Sequence, residues 1–479
     1  MDGNDTFNIG KYGLNFAPSN QANTSVLGGA GDDSVVLYGC TTNSNATAVS
    51  LFDGGTGTDT LTTSLASFYS DFQVTGTNSG NLTVYSDGFF TVAASQTNVF
   101  TDVENLVGSL NTNSTIYDRF VLANITPSLD GSPTSSIQSI SGGAGYSTTN
   151  QSYDQLVVRV SNPAALASFA NLSTYWAQWN IETLDPPVAV GNYQVSGSVQ
   201  VFNNLTSGTV SDTAPIGSFI NLGKFYGGDQ NDLFNVSGSG NRGILVLDGG
   251  AGVNTLDMSE YQANVTVDLA NLKATPVANS TSGTIANIQN VFGTGGNDNL
   301  YGDSASNVLV GNGGNDTILG NAGNDILIGD YGADSLVGGA GNDFLTGDYV
   351  DFYYGTETNG VPASVMLDFL QSKWKTGTTT TAFDNNSNFL DAPGNAVTSL
   401  GTLALKPLAG STLANGTTNV NGPATIFSDN NADQIIDTTG YNSIVYTSGG
   451  SSQQPWITND VVSSQTLSFA RKRRYSRWV

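Results

Sequence analysis

Between residues 293 and 346 the apolar positions of the chain repeat every nine residues. Each nonapeptide begins with a glycine and carries an aliphatic side chain at its eighth position. The first-position glycines are Gly293, Gly302, Gly311, Gly320, Gly329 and Gly338, and the eighth-position residues are Leu300, Leu309, Ile318, Leu327, Leu336 and Leu345. A nine-residue period fits neither the 3.6-residue helix nor a long strand of alternating faces. It predicts a short strand of about three residues whose middle side chain points inward, followed by a glycine-rich turn.

The sixth position of every nonapeptide carries a side chain with an oxygen atom. These residues are Asp298, Asn307, Asp316, Asp325, Asp334 and Asp343. Carboxylates on coils about 4.8 Å apart repel one another by roughly 0.9 kcal/mol in water and about 3.5 kcal/mol at an effective dielectric constant of 20. A bound cation would remove this repulsion, and ligands that are all oxygen atoms favour Ca²⁺ over zinc, copper or Mg²⁺. A Gly-Asn-Asp-rich loop with solvated aspartates is the less favoured alternative, and the neutral Asn307 predicts one weaker site.

The consecutive repeats GNGGNDTIL and GNAGNDILI, which begin at Gly311 and Gly320, resemble the RTX, or haemolysin-type, calcium-binding repeat GGxGxDx(aliphatic)x. The resemblance extends over residues 293–346. It implies an all-β fold, a right-handed parallel β-roll or β-solenoid in which two nonapeptides form one coil. It also implies several Ca²⁺ ions in the turns, held by the sixth-position side chains and by backbone carbonyls of neighbouring coils. The candidate metal ligands are therefore the first-position glycines and the sixth-position residues given above.

Divergent copies of the motif lie upstream of the regular repeats. The segments GGAGDDSV, GGTGTDTL and GGDQNDLF add Asp33, Asp59 and Asp232 to the candidate calcium ligands. GGAGVNTL, from Gly249, has Asn at the sixth position, and GGAGYS, from Gly142, has Ser, so we interpret these two as turns that need not hold metal. The opening residues DGNDTF match the middle of a repeat, and the chain is expected to begin within a solenoid.

A longer unit frames these motifs: a GG turn is followed by alternating strands and then by a segment such as VENLVG or IQNVFG. This order resembles the C-terminal halves of RTX-type bacterial surface-layer proteins and the spacers of large RTX adhesins. We therefore predict divergent β-solenoid modules with inserted loops over residues 1–225 and the RTX β-roll over 226–350. Residues 351–479 are expected to form a β-rich capping or assembly region with a basic C-terminal tail. Short packing helices are predicted at 163–170 and 366–374.

The composition of the chain excludes several classes of catalytic and metal-binding site. The 479 residues include no histidine, which excludes a Ser-His-Asp triad, a Cys-His pair and an HExxH zinc site. There are 39 acidic and 14 basic residues, and the formal net charge of −25 repels nucleic acid and attracts divalent cations. The single cysteine, Cys40, permits no internal disulfide bond. No run of apolar residues is long enough for a transmembrane helix.

These observations predict a secreted, extracellular, calcium-binding structural protein and not an enzyme. The favoured role is to form or belong to a cell-surface layer, with copies of itself as partners and a cell-surface polysaccharide as a further partner. The alternative is a calcium-stabilised fragment of a secreted RTX adhesin, which would contact another molecule instead. A glycosidase or polysaccharide lyase could work with carboxylates alone, but nearly all the concentrated carboxylates belong to the calcium motifs.

Overall fold

The structure is a computed structural model, and every regular element in its described part is a β-strand, which confirms the all-β prediction. It describes residues 3–9, 24–38, 49–65, 68–91, 98–109, 117–125, 135–143, 153–160, 175–183, 195–203, 213–229, 231–239, 243–275, 277, 284–323, 325–340 and 344–346, with short segments from 349 to 468. The two predicted helices lie outside the described residues. A search of the described part for a helix long and apolar enough to span a membrane finds none.

The strands follow one another along the chain in three groups. The first group is β1 Thr6–Ile9, β2 Thr24–Ala30, β3 Ser34–Tyr38, β4 Val49–Thr56, β5 Thr60–Ser64, β6 Tyr69–Gly76, β7 Ser79–Tyr85, β8 Asn98–Thr101, β9 Asn105–Val107, β10 Arg119–Ile125, β11 Ile137–Ser141, β12 Gln155–Val160, β13 Tyr175–Thr183, β14 Val195–Asn203 and β15 Thr213–Ile220. The second is β16 Lys224–Tyr226, β17 Asn231–Gly238, β18 Val246–Asp248, β19 Thr255–Asp257, β20 Thr266–Asp268, β21 Lys273–Ala274, β22 Thr284–Ala286, β23 Asn290–Phe292, β24 Asn299–Tyr301, β25 Val308–Gly313, β26 Thr317–Ala322, β27 Ile326–Tyr331, β28 Ser335–Ala340 and β29 Phe344–Thr346. The third is β30 Tyr349–Asp351, β31 Tyr353–Tyr354, β32 Leu405–Lys406, β33 Thr425–Phe427, β34 Gln434–Asp437, β35 Tyr441–Thr447, β36 Pro455–Val461 and β37 Gln465–Ser468.

Three main sheets are built from these strands. The long sheet has 16 strands in the order β1-β3-β5-β9-β11-β15-β14-β13-β17-β19-β23-β25-β27-β29-β35-β36. The upstream sheet has ten strands, β2-β4-β8-β7-β6-β10-β12-β16-β18-β22, and the roll sheet has seven, β21-β20-β24-β26-β28-β34-β37. From β1 to β19 the chain alternates between the long sheet and the upstream sheet, and from β23 to β29 it alternates between the long sheet and the roll sheet. Between these two stretches β20 and β21 of the roll sheet are followed by β22 of the upstream sheet. Side chains from all three sheets share one apolar core. This arrangement is a parallel β-solenoid.

Each coil of the regular roll contains 18 residues, which is two nonapeptides. In the long sheet Val291 aligns with Leu309, and Leu309 aligns with Leu327. In the roll sheet Leu300 aligns with Ile318 in the same parallel manner. All six eighth-position aliphatic side chains are 0% exposed. The predicted inward aliphatic side chain and the parallel β-roll are therefore confirmed. The predicted strand length of three residues holds for β24 and β29, whereas β25 to β28 have six residues each, because their parallel pairing continues into the glycine-rich segment.

Two insertions widen the solenoid between residues 69 and 220. Strand β7 is antiparallel to both of its neighbours, β6 and β8, and β14 is likewise antiparallel to β13 and β15. The outer members of each trio pair in parallel with the adjoining coils. A coil can therefore contain an inserted antiparallel strand while the carboxylates that precede its parallel strands stay in register.

Candidate calcium sites

The sixth-position side chains of the roll form two hydrogen-bonded rows, called here the carboxylate ladders. On the roll-sheet side, the backbone N–H of Asp298 donates to Oδ1 of Asp316, and the N–H of Asp316 donates to Oδ1 of Asp334, both at 2.8 Å. On the long-sheet side, the N–H of Asn307 donates to Oδ1 of Asp325 at 2.8 Å. Each bond spans the 18 residues of one coil. The ladder on the roll-sheet side thus stacks aspartate on aspartate, and the ladder on the long-sheet side stacks Asn307 on Asp325. Asp343 lies outside the described residues.

The second carboxylate oxygen of a ladder residue faces the glycine that opens its own repeat. A Cβ atom built on Gly293 would lie 2.6 Å from Oδ2 of Asp298 and 2.7 Å from the carbonyl oxygen of Gly311 in the next coil. A carboxylate Oδ2 and a backbone carbonyl oxygen would likewise collide with a Cβ on Gly311 or Gly320, and at Gly320 the carbonyl oxygen is that of Gly338. At Gly302 the side-chain oxygen is the amide Oδ1 of Asn307. Gly329 lies in the same way against Asp334. The first-position glycines therefore keep open a space that is bordered by oxygen atoms.

At several ladder residues this second oxygen accepts no hydrogen bond from the described part of the chain. Asp316, Asp33 and Asp59 each have a buried Oδ2 of this kind, and the three side chains are 2%, 1% and 0% exposed. A buried anionic oxygen without a donor costs about 1–3 kcal/mol or more. Hard oxygen ligands from a carboxylate and from flexible carbonyls are those that Ca²⁺ prefers. The residues present therefore fit a calcium ion at these positions.

The upstream motifs reproduce the arrangement. The N–H of Asp5 donates to Oδ1 of Asp33, and the N–H of Asp33 donates to Oδ1 of Asp59, at 2.8 and 2.7 Å. Oδ2 of Asp33 lies beside Gly28 and the carbonyl oxygen of Gly54. Asp232 also faces the opening glycine of its own repeat and a carbonyl of the next coil. Within the described residues no three acidic side chains converge on one point, so each ladder carboxylate is accompanied mainly by backbone carbonyls.

Four ladder residues were missed by the sequence motifs. Asp118 and Asp154 face Gly108 and Gly142, although residues inserted between glycine and aspartate remove the GGxGxD spacing. Glu104 and Gln289 take the ladder position on the long-sheet side, where they accept the N–H of Asp59 and of Asn254, both at 2.7 Å. A sequence pattern could have predicted these four residues: each is an acidic or amide residue two positions before an inward apolar side chain. The four segments are Asp-Arg-Phe, Asp-Gln-Leu, Glu-Asn-Leu and Gln-Asn-Val.

Other ladder positions are already occupied by protein donors. Oδ2 of Asp298 accepts the N–H of Thr294 at 2.6 Å, and Oδ2 of Asp232 accepts the N–H of Gly228 at 3.0 Å. Asp118 accepts backbone N–H groups on both oxygens, from Ser70 and Ser109. These carboxylates depend less on a cation than Asp316 does, because their charge is stabilised by hydrogen bonds.

Amide side chains at two ladder positions make hydrogen bonds of their own. Nδ2 of Asn254 donates to the carbonyl oxygen of Asn287 at 2.8 Å, which is the carbonyl beside Gly249. At Asn307, Oδ1 accepts the N–H of Asp303 at 2.9 Å while Nδ2 donates to the carbonyl of Gln289 at 3.0 Å. The amide of Asn254 thus satisfies the carbonyl beside its opening glycine with its own proton, in place of a cation. Asn307 stays a predicted ligand, but its side chain is engaged on both atoms.

Burial makes the ladder carboxylates costly to ionise. Burial, followed by the charge of Asp298, raises the pKa of Asp316 to about 7, although the hydrogen bond from the Asp298 amide lowers it. Burial likewise raises the pKa of Asp232 to about 7 and that of Asp118 to about 6. The pKa values of Asp59 and Asp298 are raised in the same direction by burial. A bound cation would compensate this cost, because it stabilises the ionised form.

The raised pKa values predict how stability depends on pH when calcium is absent. The folded-state pKa of Asp316 lies above its ordinary value of 3.8, so the folded chain binds more protons than the unfolded chain between about pH 4 and 7. The free energy of unfolding should therefore fall as the pH rises from 5 to 7 in metal-free buffer. With saturating Ca²⁺ the trend should reverse, since the ion competes with the proton. Urea titrations from pH 5 to 8 test this, and a metal-free stability that rises between pH 5 and 7 would contradict it.

The geometry defines a class of protein, a parallel β-solenoid with carboxylate ladders and glycine turns suited to calcium. Residues 292–327 and 319–348 match the family model of the RTX calcium-binding nonapeptide repeat (4 copies). The chain therefore carries RTX calcium-binding repeats over residues 292–348, and these repeats imply that it binds Ca²⁺. The comparison with curated proteins finds no match to the chain.

Proposed function

We propose that this chain is a secreted structural protein that folds on binding Ca²⁺ and forms, or belongs to, a cell-surface layer. The observation that carries the calcium-dependent part is the buried Oδ2 of Asp316, which lies against Gly311 and the carbonyl of Gly329 without a described hydrogen-bond donor. RTX repeats are calcium-binding and structural rather than catalytic, and proteins that carry them are typically secreted. The proposed extracellular location also supplies millimolar calcium, which weak oxygen sites need.

Assembly with copies of itself is supported by the chemistry of the solenoid surface. Charged residues make up only 11% of the chain, and uncharged polar side chains lie on strands of the long sheet, among them Gln178 and Asn180 of β13 and Asn235 of β17. On the long sheet these side chains bond to one another: Oδ1 of Asn180 accepts Nε2 of Gln178 at 2.9 Å and Nδ2 of Asn235 at 3.1 Å. Short polar side chains that are already ordered lose little conformational entropy on contact. Such a surface suits the close packing of like chains, and the acidic surface suits bridging by Ca²⁺ between neighbours.

The assembly test uses the full chain at several millimolar Ca²⁺, compared with the same sample after chelation. We expect sheets, tubes or filaments by negative-stain electron microscopy, and we expect them to dissolve when calcium is removed. Sedimentation velocity on the same samples gives the size of the soluble species. A strictly monomeric chain at high protein and calcium concentrations would contradict the surface-layer role and favour the RTX adhesin, whose partner is a different molecule.

A further inference from the structure

A cleft of about 480 Å³ opens on the outer face of the roll sheet, and no side chain of the carboxylate ladders lines it. A volume of this size is typical of a small-molecule site and is far larger than a single ion needs. Its polar lining consists of Asp268, Asn271, Tyr301, Asp303, Ser304 and Asn321. The cleft is therefore separate from the candidate calcium sites.

The cleft forms where the first strand of the roll sheet is followed by a longer turn than the later strands. Asp268 of β20 aligns with Tyr301 of β24 in parallel register, and each follows a fully buried residue, so both side chains face outward. After Asp268 the chain reverses through residues 269–272, with Leu272 at φ of +57°, and β21 pairs antiparallel with β20. This turn supplies one wall of the cleft, and the glycine-rich turns after β24 and β26 supply the rest.

Hydrogen bonds within the turns fix the acidic side chains of the cleft. Oδ1 of Asp268 accepts the N–H of Asn271 at 3.0 Å, and its Oδ2 accepts Nδ2 of the same residue at 2.8 Å. Oδ1 of Asp303 accepts the N–H of Ala305 at 2.7 Å. Side chains that are already ordered lose little conformational entropy when a ligand binds.

Several oxygen atoms of the cleft remain available to a ligand. Within the part of the chain that the structure describes, no hydrogen bond engages the Tyr301 hydroxyl, Oδ2 of Asp303 or Oδ1 of Asn271. Oδ1 of Asn321 is open as well, because this amide uses its Nδ2 to bond the carbonyl of Gly302 at 2.7 Å. A carboxylate oxygen and two amide oxygens are acceptors only, so the cleft suits a ligand that brings several O–H donors.

The charge and the aromatic ring of the lining restrict the ligand further. Two carboxylates and no lysine or arginine line the cleft, so phosphate and other anionic groups are repelled. No three acidic side chains among the described residues converge to hold a metal ion. The half-buried ring of Tyr301 offers an apolar face beside the acceptors. A neutral sugar matches this combination, because its hydroxyl groups donate hydrogen bonds and the C–H face of its ring is apolar.

We propose that this cleft binds a neutral sugar residue of a polysaccharide or oligosaccharide. The ring of Tyr301 packs against the C–H face of the sugar, and Oδ2 of Asp303 and the amide oxygens of Asn271 and Asn321 accept its hydroxyl protons. The inference goes beyond the proposed surface-layer function and does not require copies of the chain to assemble.

The test applies the full chain, in several millimolar Ca²⁺, to an array of immobilised oligosaccharides. The neutral set contains hexose and N-acetylhexosamine chains, and the anionic set contains sialylated and sulfated chains. We expect binding to members of the neutral set. Tyr301→Ala should weaken that binding by about tenfold or more, as truncation of a central aromatic contact does, whereas Tyr301→Phe keeps the ring and should retain most of it. Asp303→Asn should also weaken it, because a charged acceptor is lost.

Tyr331→Ala is the matched control, since Tyr331 is an exposed tyrosine of β27 that does not line the cleft. It should bind the same sugars as the unmodified chain, and melting temperatures in the same buffer show that each variant is folded. Absence of binding to every neutral sugar, binding to the anionic set alone, or neutral-sugar binding that Tyr301→Ala leaves unchanged would each overturn the proposal. Loss of one bound Ca²⁺ in Asp303→Asn, counted by equilibrium dialysis, would also overturn it, because the cleft would then be a cation site.

Discussion

We expect chelation of calcium to unfold the roll over residues 226–350 and to remove most of its β-sheet signal in circular dichroism. A site saturated at a hundred times its Kd contributes about 2.7 kcal/mol to folding. Asp316 supplies an open ladder carboxylate within the roll, and one saturated site is a large share of the ~5–15 kcal/mol that holds an ordinary domain together. Asp33 and Asp59 supply further open carboxylates in the upstream coils. The chain also carries a net charge of −25, of which each bound ion cancels two units.

We expect Ca²⁺, and not Mg²⁺, to restore the folded roll. Titration of Ca²⁺ into the EGTA-treated chain should restore the β-sheet signal with affinities near 10⁻⁴–10⁻³ M, as in extracellular calcium modules. Mg²⁺ at the same concentration should restore little of it, because Mg²⁺ retains its waters and demands octahedral geometry. A dichroism spectrum unchanged by EGTA would contradict the proposal that these turns need a cation.

Substitution of a single glycine should separate a calcium turn from an ordinary one. A Cβ atom in Gly311→Ala would collide with Oδ2 of Asp316 and lie 2.7 Å from the carbonyl oxygen of Gly329, and so would fill the space proposed for the ion. Overpacking alone costs about 1–3 kcal/mol, and 1.4 kcal/mol corresponds to a factor of ten in an equilibrium constant. We expect the calcium midpoint for folding to rise about tenfold or more.

Gly295→Ala is the matched control in the same roll. A Cβ built on Gly295 meets no atom within 4 Å, and its backbone is outside the left-handed region. The change should be neutral or stabilise the chain by about 0.4–1 kcal/mol through the unfolded state. Calcium-titrated thermal melts of the two variants give the comparison directly. Equal midpoints for Gly311→Ala and Gly295→Ala would show that the first-position glycines do not border the calcium site.

The regular part of the fold was predictable because its local spacing and its tertiary register have the same period. One glycine and one aliphatic residue in every nine are enough to place the strands and the inward side chains, and the six aliphatic residues are all fully buried. The stacking of Asp298 on Asp316 requires in addition that a coil hold exactly two repeats, which the resemblance to RTX repeats implied and the register shows.

The irregular part was less predictable because loop length is not constrained by the ladder. Asp118 and Asp154 reach the same position as Asp316 after insertions that hide the motif, since only the residue before the strand must remain in register. The antiparallel strands β7 and β14 pair with the strands directly before and after them along the chain, and the nonapeptide motif, which describes only parallel coils, does not signal these insertions. Whether an amide or a carboxylate closes a turn, as at Asn254, depends on the donors and acceptors of the next coil.

The ladders imply that calcium dependence varies along the solenoid. Asp118 is held by backbone amides on both oxygens, whereas Asp316 has an open Oδ2. In a linear array each coil interacts mainly with its neighbours, so stability can differ from one segment to another. The coils around β10, which follows Asp118, are therefore expected to depend on calcium less than the coils of the roll.

Hydrogen–deuterium exchange on the full chain, with calcium and with EGTA, tests the central claim most directly. With calcium, the amides of Asp298 and Asp316, which donate to the next ladder carboxylate, should be protected from exchange. In EGTA, peptides from residues 290–340 should lose that protection by orders of magnitude, while peptides covering Arg119–Ile125 retain more of theirs. Equal protection of residues 290–340 in both buffers would contradict the account, because the carboxylate ladders would then be stable without the cation.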